Sequence, residues 1–457
     1  MLDVSRSPPK FLSNTKFNLT QVPLDYSRPR GPRASIPILK LTANPDSKNG
    51  PYQGMILTNP GGPGNSGVQS ILTYGSTLQS VAGTNFDIVA FDPRGIANSI
   101  PSANCSSSPD ASSPFRRRSK SLQGPKNAKS YFPDAFDNAI SLGDECKIAI
   151  GGENEAGPHM TTAINVRDMI SIVDAFAQTE DGQRAKNANL VNYWGLSYGT
   201  FIGETLASMF PDRIGSVLLD GVVDPEDNVS GLGLHSLQFT DDVLSTFFTY
   251  CHLAGLSACS YHTGSTAADI SHRFEQTFTQ LDARHAAAQN LTNAPIVEAA
   301  LEAFKEFTSL ATYYPIAFFP LLSDVLVSFE MALANLTVES LEGIAIQIQE
   351  ALPTLKDVPI DLPPQQEWYP AVACSDTNAS SYGLTLDDLK AYVHELEGQS
   401  VIEGESWAVN RILCAGWNIT SNDRFEGTSM SPIRRNTKAD ILSRAIRRQD
   451  EEPCVVC

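Results

Sequence analysis

Short apolar runs alternate with glycine-rich loops and helical patterns through the first half of this 457-residue chain. The runs are four or five residues long and rich in β-branched and aliphatic side chains, as in strands buried on both faces. This alternation favours an α/β fold, a mostly parallel sheet flanked by helices. Strands are predicted at Ile36–Lys40, Gly54–Thr58, Asp87–Phe91, Leu190–Trp194 and Val217–Asp220, and the clearest helices at Ala163–Phe176 and Tyr198–Met209.

From about residue 227 to residue 363 the strand signals give way to helical patterns. The helices are predicted at Ser236–Leu253, Ala267–Gln289, Ile296–Ala311 and Leu321–Leu333. A helical block that follows the fifth predicted strand is expected to form a cap over the carboxyl ends of the strands, where open α/β sheets bind ligands. We therefore expect a core over 20–226, a large helical cap over 227–363, a second core segment over 364–433 and a divergent tail over 434–457.

Composition excludes several classes of function. The chain has 33 basic and 51 acidic side chains and a net charge of −18, which argues against a nucleic-acid partner. No apolar run reaches the 18 or so residues typical of a membrane span, so no membrane-spanning segment is expected. Nothing in the sequence implies a metal or an organic cofactor, and the oligomeric state stays open.

One segment carries a nucleophile pattern. Gly195-Leu196-Ser197-Tyr198-Gly199 directly follows a predicted strand and opens a predicted helix. This is the placement of a nucleophile elbow, a tight strand-to-helix turn that presents a serine hydroxyl. The alternative is a purely structural turn, since the isolated pattern is weak. We predict that Ser197 is a catalytic nucleophile.

A second glycine-rich segment, Asn59 to Gly67, follows the predicted strand Gly54–Thr58. A phosphate-binding loop is disfavoured because no Gly-Lys-Ser/Thr ending or dinucleotide glycine spacing is present. Backbone N–H groups in such a loop instead stabilise a developing oxyanion. We predict an oxyanion hole formed by Gly61 or Gly62 with the N–H of Tyr198; a simple tight turn is the alternative.

Together these motifs resemble the tripeptidyl aminopeptidase and proline iminopeptidase branch of the α/β-hydrolases. The resemblance extends from about Val22 to Pro432 and also includes Val22–Tyr26, Phe91–Gly95, Leu219–Pro225, Cys374–Asp376, Cys414–Trp417 and Arg424-Phe425. It implies an α/β-hydrolase fold and a serine hydrolase that cleaves near peptide N-termini through an acyl-enzyme, or small esters or amides as in some relatives. Ser197 would be the nucleophile, with Gly61, Gly62 and Tyr198 at the oxyanion.

The remaining triad members are harder to place. In this fold the acid and then the histidine follow the serine along the chain, yet all seven histidines precede Cys414. Asp440 is our candidate acid, with Asp220 and Asp224 as alternatives. Arg434-Arg435 stands where the resemblance places an apolar strand, so the C-terminal strands and the histidine segment are expected to be incomplete. A catalytically silent relative with a binding role is therefore a second hypothesis.

The cysteines and glycosylation sequons indicate the cellular compartment in which the protein folds. The pairs Cys105/Cys146, Cys251/Cys259 and Cys374/Cys414 are disulfide candidates, which an oxidising compartment would favour; buried free thiols are the alternative. Sequons lie at Asn18, Asn104, Asn228, Asn290, Asn335, Asn378 and Asn418. No signal-like apolar run occurs in Met1–Lys10. We expect a secretory-pathway glycoprotein, with a cytoplasmic protein as the alternative.

Overall fold

The computed structural model describes residues 14–105, 131–288, 294–351, 367–377, 382–421 and 423–425. The candidate acid Asp440 and the predicted tail 434–457 lie outside these residues, as do Cys454 and Cys457.

A sheet at the centre of the fold has six strands within the described ranges. They are β1 (Thr15–Pro23), β2 (Arg33–Leu41), β3 (Gly54–Asn59), β4 (Phe86–Phe91), β5 (Val191–Leu196) and β6 (Ile214–Asp220). Their order across the sheet is β1-β2-β4-β3-β5-β6. The two pairings that involve β2 are antiparallel, whereas β4, β3, β5 and β6 are parallel to one another.

Helices cover the two faces of the sheet. The helices that lie between β3 and β6 along the chain are α1 (Gly67–Ala82), α2 (Tyr131–Ile150), α3 (Thr162–Ala177), α4 (Glu180–Arg184) and α5 (Tyr198–Met209). Short 3-10 turns lie at Gly157–His159 and Pro211–Arg213. On β4, Ile88 and Ala90 join the cluster that contains α1, whereas Val89 and Phe91 join the larger core with α3 and α5. Because both faces are covered, the strand is apolar from Ile88 to Phe91 rather than alternating.

A buried ion pair ties three parts of this core together. Arg94 Nε lies 2.6 Å from Asp168 Oδ2, and Arg94 Nη2 lies 2.7 Å from Asp168 Oδ1. The guanidinium also donates to the carbonyl oxygens of Pro23 and Leu24, and Tyr26 Oη donates to Asp168. The two charged side chains are 2% and 0% exposed, a state that requires such complete pairing. The pair therefore joins the segment after β1 to the loop after β4 and to α3.

Between β6 and residue 351, every regular element in the described residues is a helix. These helices are α6 (Pro225–Ser230), α7 (Thr240–Ala254), α8 (Ala267–Ala288), α9 (Ala294–Tyr313), α10 (Pro315–Ala334) and α11 (Val338–Ala351). They have an aromatic core of their own, which includes Phe247, Phe274, Phe304 and Phe329. The domain limits remain a proposal, but this separate core supports a cap over 227–363.

One cap helix has the composition of a membrane span. Among the described helices, α10 alone is long and apolar enough to cross a membrane, with a mean hydropathy of 1.8. Half of that stretch is buried inside the protein, and Phe318, Leu322 and Phe329 belong to the cap core. A buried core helix passes the same test, so α10 is weak evidence for a membrane span.

Three more helices follow the cap: α12 (Trp368–Asp376), α13 (Leu386–Gln399) and α14 (Gly404–Gly416). The disulfide Cys374–Cys414 joins α12 to α14, Cys105–Cys146 joins the loop after β4 to α2, and Cys251–Cys259 closes the end of α7. These are the three cysteine pairs that the sequence suggested. Within the described residues, β6 is the last strand and forms one edge of the sheet.

Candidate active site

The turn between β5 and α5 holds Ser197 in an unusual backbone conformation. Its φ is 54° and its ψ is −126°, a combination that is costly for a residue with a Cβ and persists only where the surroundings enforce it. Residue 197 is exposed to solvent, whereas the next two residues, Tyr198 and Gly199, which begin α5, are buried. The geometry is that of a nucleophile elbow.

Close packing explains both glycines of the elbow. A Cβ on residue 195 would lie 2.3 Å from the Gly199 carbonyl oxygen, and a Cβ on residue 199 would lie 2.7 Å from the Asn59 carbonyl oxygen. Both distances are far below van der Waals contact. The strand, the turn and the glycine-rich loop after β3 therefore meet backbone to backbone at this point.

The glycine-rich loop lies directly against the nucleophile turn. A Cβ on Gly61 would lie 2.9 Å from Ser197 Cβ and 3.1 Å from the Tyr198 nitrogen, so this loop and the first helical N–H are close neighbours. The Gly61 N–H already donates to Asn59 Oδ1 at 2.9 Å, so of the two glycines predicted from the sequence Gly62 is the better candidate for an oxyanion donor. Tyr198 opens α5, where N–H groups have no acceptor within the helix.

A buried carboxylate anchors the other end of this loop. Asp92 Oδ1 accepts from Ser66 Oγ at 2.5 Å and from the Val68 N–H at 3.1 Å, while Oδ2 accepts from Asn98. Burial raises the pKa of Asp92, and these donors oppose that rise. The contacts hold the start of α1 against the end of β4, and thereby hold the loop that precedes α1.

A second buried carboxylate braces Tyr198, the residue after Ser197. Asp376 accepts from the Thr162 N–H at 2.8 Å and from Thr162 Oγ1 at 2.6 Å, and the Thr162 hydroxyl contacts the Tyr198 hydroxyl. Burial raises the pKa of Asp376 to about 7, although the Thr162 donors and the Arg424 charge act in the opposite direction. Sequence reasoning noted Asp376 only within the resembling stretch Cys374–Asp376 and assigned it no role.

On its other side the nucleophile turn contacts the loop after β6. The Ser197 N–H donates to the Asp220 carbonyl oxygen at 2.8 Å, and Thr200 Oγ1 donates to the Ser197 carbonyl oxygen at 2.7 Å. The Val223 N–H donates to the same Thr200 Oγ1 at 2.9 Å. Two residues that the sequence offered as alternative acids thus lie beside this turn: Asp220 ends β6, and Asp224 lies on the loop that follows it.

Both oxygens of the Asp224 side chain have hydrogen-bond partners. One oxygen caps α6 by accepting from the N–H groups of Glu226 and Asp227, and the other lies 2.8 Å from Nδ1 of His235. Sequence reasoning missed this pair because it sought the histidine near the C-terminus. In the described ranges no group of three or more His, Cys, Asp or Glu residues is arranged to hold a metal ion.

Comparison with known proteins agrees with this architecture. Residues 54–249 match the family described as alpha/beta hydrolase fold, and that stretch includes both glycine-rich segments and Ser197. The chain has the α/β-hydrolase fold. Outside the matched residues lie β1, β2 and every element after α7.

Three curated relatives are informative. Serine protease Hip1 of Mycobacterium tuberculosis is 29% identical over 230 residues, which cover 50% of this chain and 40% of the relative. Tripeptidyl aminopeptidase of Streptomyces lividans is 28% identical over 311 residues, 65% of this chain and 50% of the relative. Carboxylesterase B of M. tuberculosis is 36% identical over 88 residues, 18% of this chain and 15% of the relative. The matches thus span half or less of each relative.

Proposed function

We propose that this protein is a serine hydrolase that cleaves peptide substrates near their N-termini through an acyl-enzyme on Ser197. The observation that carries the proposal is the elbow itself, with Ser197 at positive φ beside the backbone of the glycine-rich loop. A positive φ on an exposed serine has no evident packing benefit. Such backbone conformations cluster at functional sites, where the rest of the fold enforces them.

In the proposed reaction the Ser197 hydroxyl attacks the substrate carbonyl carbon, and negative charge develops on the carbonyl oxygen. The N–H groups of Gly62 and Tyr198 would donate to that oxygen, because both lie in segments that contact the Ser197 backbone. Preorganised donors of this kind account for about 10²–10³-fold in rate each. The intermediate then collapses: the bond to the leaving group breaks, and that group departs with the proton given up by the serine hydroxyl, which leaves an acyl-enzyme. Water hydrolyses the acyl-enzyme and frees the serine for another cycle.

The peptide substrate class is inferred from the relatives named serine protease and tripeptidyl aminopeptidase. An aminopeptidase needs an acidic group to receive the substrate ammonium. Of the candidates from the sequence, Asp241 accepts from Ser400 Oγ at 2.7 Å, Asp242 is exposed, and Glu204 lies half-buried on α5. Glu204 follows Ser197 by two helical turns, which makes it the candidate nearest in sequence to the nucleophile.

Cleavage of small esters is a second candidate, favoured by the relative named carboxylesterase B. The three disulfides support a further part of the proposal, namely folding in an oxidising compartment and secretion.

A fluorophosphonate probe tests the proposed nucleophile in the full chain. We expect stoichiometric labelling that Ser197→Ala abolishes and that Ser80→Ala, on the exposed face of α1, leaves intact. Absence of labelling in a folded wild-type protein would overturn the proposal and favour the silent relative.

A substrate panel then separates the two classes. The panel contains a tripeptidyl aminomethylcoumarin with a free N-terminus, the same compound acetylated at its N-terminus, and p-nitrophenyl butyrate. An aminopeptidase cleaves the free peptide much faster than the acetylated one. Turnover of the ester alone would support the carboxylesterase alternative.

A further inference from the structure

The first turn of α5, which would supply the N–H of Tyr198 to the oxyanion, is held by two buried phenol groups. Tyr193 on β5 donates from its hydroxyl to the Gly199 carbonyl oxygen at 2.8 Å. The Tyr198 hydroxyl contacts the hydroxyl of Thr162 at the start of α3. Tyr193 and Tyr198 are 2% and 5% exposed, so both hydroxyls depend on protein partners rather than on bulk water.

The contact between Tyr198 and Thr162 belongs to a chain of hydrogen bonds that has one direction. Thr162 Oγ1 donates to Asp376 Oδ2 at 2.6 Å, and the Thr162 N–H donates to Asp376 Oδ1 at 2.8 Å. A threonine hydroxyl has one hydrogen, and here that hydrogen is given to Asp376. The Tyr198 hydroxyl is therefore the donor to Thr162, and the carboxylate at the end of the chain sets the direction of both bonds.

The carboxylate that ends this chain is itself fixed by the segment after the cap. Asp376 is 2% exposed and is the last residue of α12, two positions after the cysteine that forms the disulfide Cys374–Cys414. Arg424 donates to the carbonyl oxygen of the next residue, Thr377, at 3.0 Å. Asp376 lies outside residues 54–249, which match the family. A part of the chain beyond the matched residues thus anchors the start of α5.

The N–H of Tyr198 needs an anchor from outside its helix. In the first turn of a helix the N–H groups have no acceptor within the helix, so helical hydrogen bonds do not fix the direction of this N–H. A catalytic donor must nevertheless be held to within about 0.5 Å of its productive position. Because the buried ring and the N–H share one Cα, a ring that is held at its hydroxyl also restricts the backbone.

We propose that Asp376 and Thr162 are positioning residues for the oxyanion hole: through the Tyr198 hydroxyl they hold the backbone N–H that donates to the substrate carbonyl oxygen as that oxygen becomes negative. The inference rests on the serine hydrolase function proposed above. Asp376 and Thr162 act through Tyr198 and not on the substrate directly. Loss of the chain should therefore slow the chemical step and leave the affinity for the substrate unchanged.

The test uses the full chain and the fluorophosphonate probe, whose phosphoryl oxygen becomes the acceptor in the oxyanion hole. At pH 8 the Asp376 carboxyl, with a pKa of about 7, is mostly ionised. Tyr198→Phe removes the hydroxyl and retains the backbone N–H. We expect its limiting labelling rate to fall about 10- to 10²-fold, while the labelled fraction stays complete and the half-saturating probe concentration changes less than about twofold.

The cap contains a matched control for this substitution. Tyr261 Oη lies 2.9 Å from Thr277 Oγ1, and Thr277 Oγ1 donates to Glu330 Oε1 at 2.9 Å. Tyr261 is fully buried in the cap core, whereas Tyr198 belongs to the core of the sheet. The same phenol–threonine–carboxylate chain thus occurs apart from the elbow. Tyr261→Phe should lower stability to a similar extent as Tyr198→Phe and should label at the wild-type rate.

Substitutions at Thr162 test the middle of the chain. Thr162→Val retains the shape of the side chain without its hydroxyl and should slow labelling as Tyr198→Phe does. Thr162→Ser retains the hydroxyl and should restore most of the lost rate. The double variant Thr162→Val/Tyr198→Phe should be no slower than Thr162→Val alone, because both substitutions remove the bond between the two hydroxyls.

Asp376→Asn tests the end of the chain. The amide oxygen would accept from the Thr162 N–H, so the amide nitrogen would face the Thr162 hydroxyl as a donor. This reversal deprives the Tyr198 hydroxyl of its acceptor, and the limiting labelling rate should fall. If Asp376→Asn fails to fold, the comparison of Tyr198→Phe with Tyr261→Phe still decides.

The outcomes are distinguishable. Equal limiting rates in Tyr198→Phe and Tyr261→Phe overturn the inference and leave the serine hydrolase function standing. A loss confined to the labelled fraction, with an unchanged rate, assigns the chain a role in folding only and also overturns the inference, as does a Thr162→Ser variant as slow as Thr162→Val. A folded wild-type protein that never labels overturns the proposed function, and the inference with it.

Discussion

The two sides of the Ser197 turn are built in opposite ways. On the side of the glycine-rich loop, the contacts are backbone to backbone, and the anchoring side chains Asn59 and Asp92 are 2% and 0% exposed. On the side of β6, Leu218 is 49% exposed and the His235 side chain 55% exposed. One side is part of the core, whereas the other faces solvent.

This difference teaches which part of the proposed chemistry depends on packing. Oxyanion donors must be fixed before the reaction, and a close-packed interior provides that rigidity. We therefore expect variants on the buried side to alter stability and alignment, and variants on the exposed side to change the unfolding free energy little.

The largest expected effect lies deep on the buried side. Arg94→Met leaves Asp168 charged, buried and without its ion-pair partner, which should cost about 3–5 kcal/mol of unfolding free energy. Arg28→Met removes an ion pair with Asp25 in which the arginine side chain is 47% exposed, and should change stability little. Urea denaturation of both variants measures the difference; equal, small losses would contradict the proposed structural role of Arg94.

A smaller effect is expected where the buried side meets the nucleophile. The Cβ of Gly61→Ala would lie 2.6 Å from the Leu196 carbonyl oxygen, so the loop must move away from Ser197. We expect labelling at Ser197 to slow by about 10²-fold, since an oxyanion donor is misplaced. Gly398→Ala, where no atom lies within 4 Å of the new Cβ, is the control and should label as the wild type does. Similar rates in the two variants would show that the loop position is irrelevant.

The raised pKa of Asp376, on the buried side, predicts that the unfolding free energy depends on pH. The pKa of Asp376 is about 7 in the folded protein, whereas its ordinary value, expected in the unfolded chain, is 3.8. The contribution of Asp376 to stability is therefore complete below pH 3.8 and is lost as the pH rises through 7. Across that window the slope is about 1.4 kcal/mol per pH unit. Asp376→Asn should remove this slope, as measured by denaturation from pH 5 to pH 8.

The exposed Asp388 provides the control for that experiment. Bonds from Thr385 lower its pKa, so the stability that they contribute is lost only as pH falls below the usual carboxyl range. Asp388→Asn should therefore leave the slope between pH 5 and pH 8 intact. A slope that survives in Asp376→Asn would assign the effect to another group.

The smallest effect is expected at the exposed edge. Leu218→Gln on β6 should change the unfolding free energy by no more than about 0.5 kcal/mol, as for most surface substitutions. Leu57→Ala, at a fully buried position on β3, should cost about 2–5 kcal/mol. If both substitutions cost the same, the β6 edge is covered in solution, and the contrast between the two sides of the turn fails.

Sequence patterns predicted much of the sheet and the elbow. The five predicted strands correspond to β2 through β6, and the predicted helix Tyr198–Met209 has the same limits in the structure. The strand β1 was missed because TKFNLTQVP is largely polar and exposed, as expected of a strand at the sheet edge. It is recognisable only through its pairing with β2.

The sequence by itself determined the local features: a buried, mostly parallel sheet, a strand-to-helix turn with Ser197 at its apex and a glycine-rich loop after β3. Apolar periodicity and glycine spacing act over a few residues, so they can be read from the chain directly. Only the tertiary structure decided which polar groups meet. Thr162 and Asp376 are 214 residues apart in sequence, and no local pattern encodes a contact that forms only when the core closes.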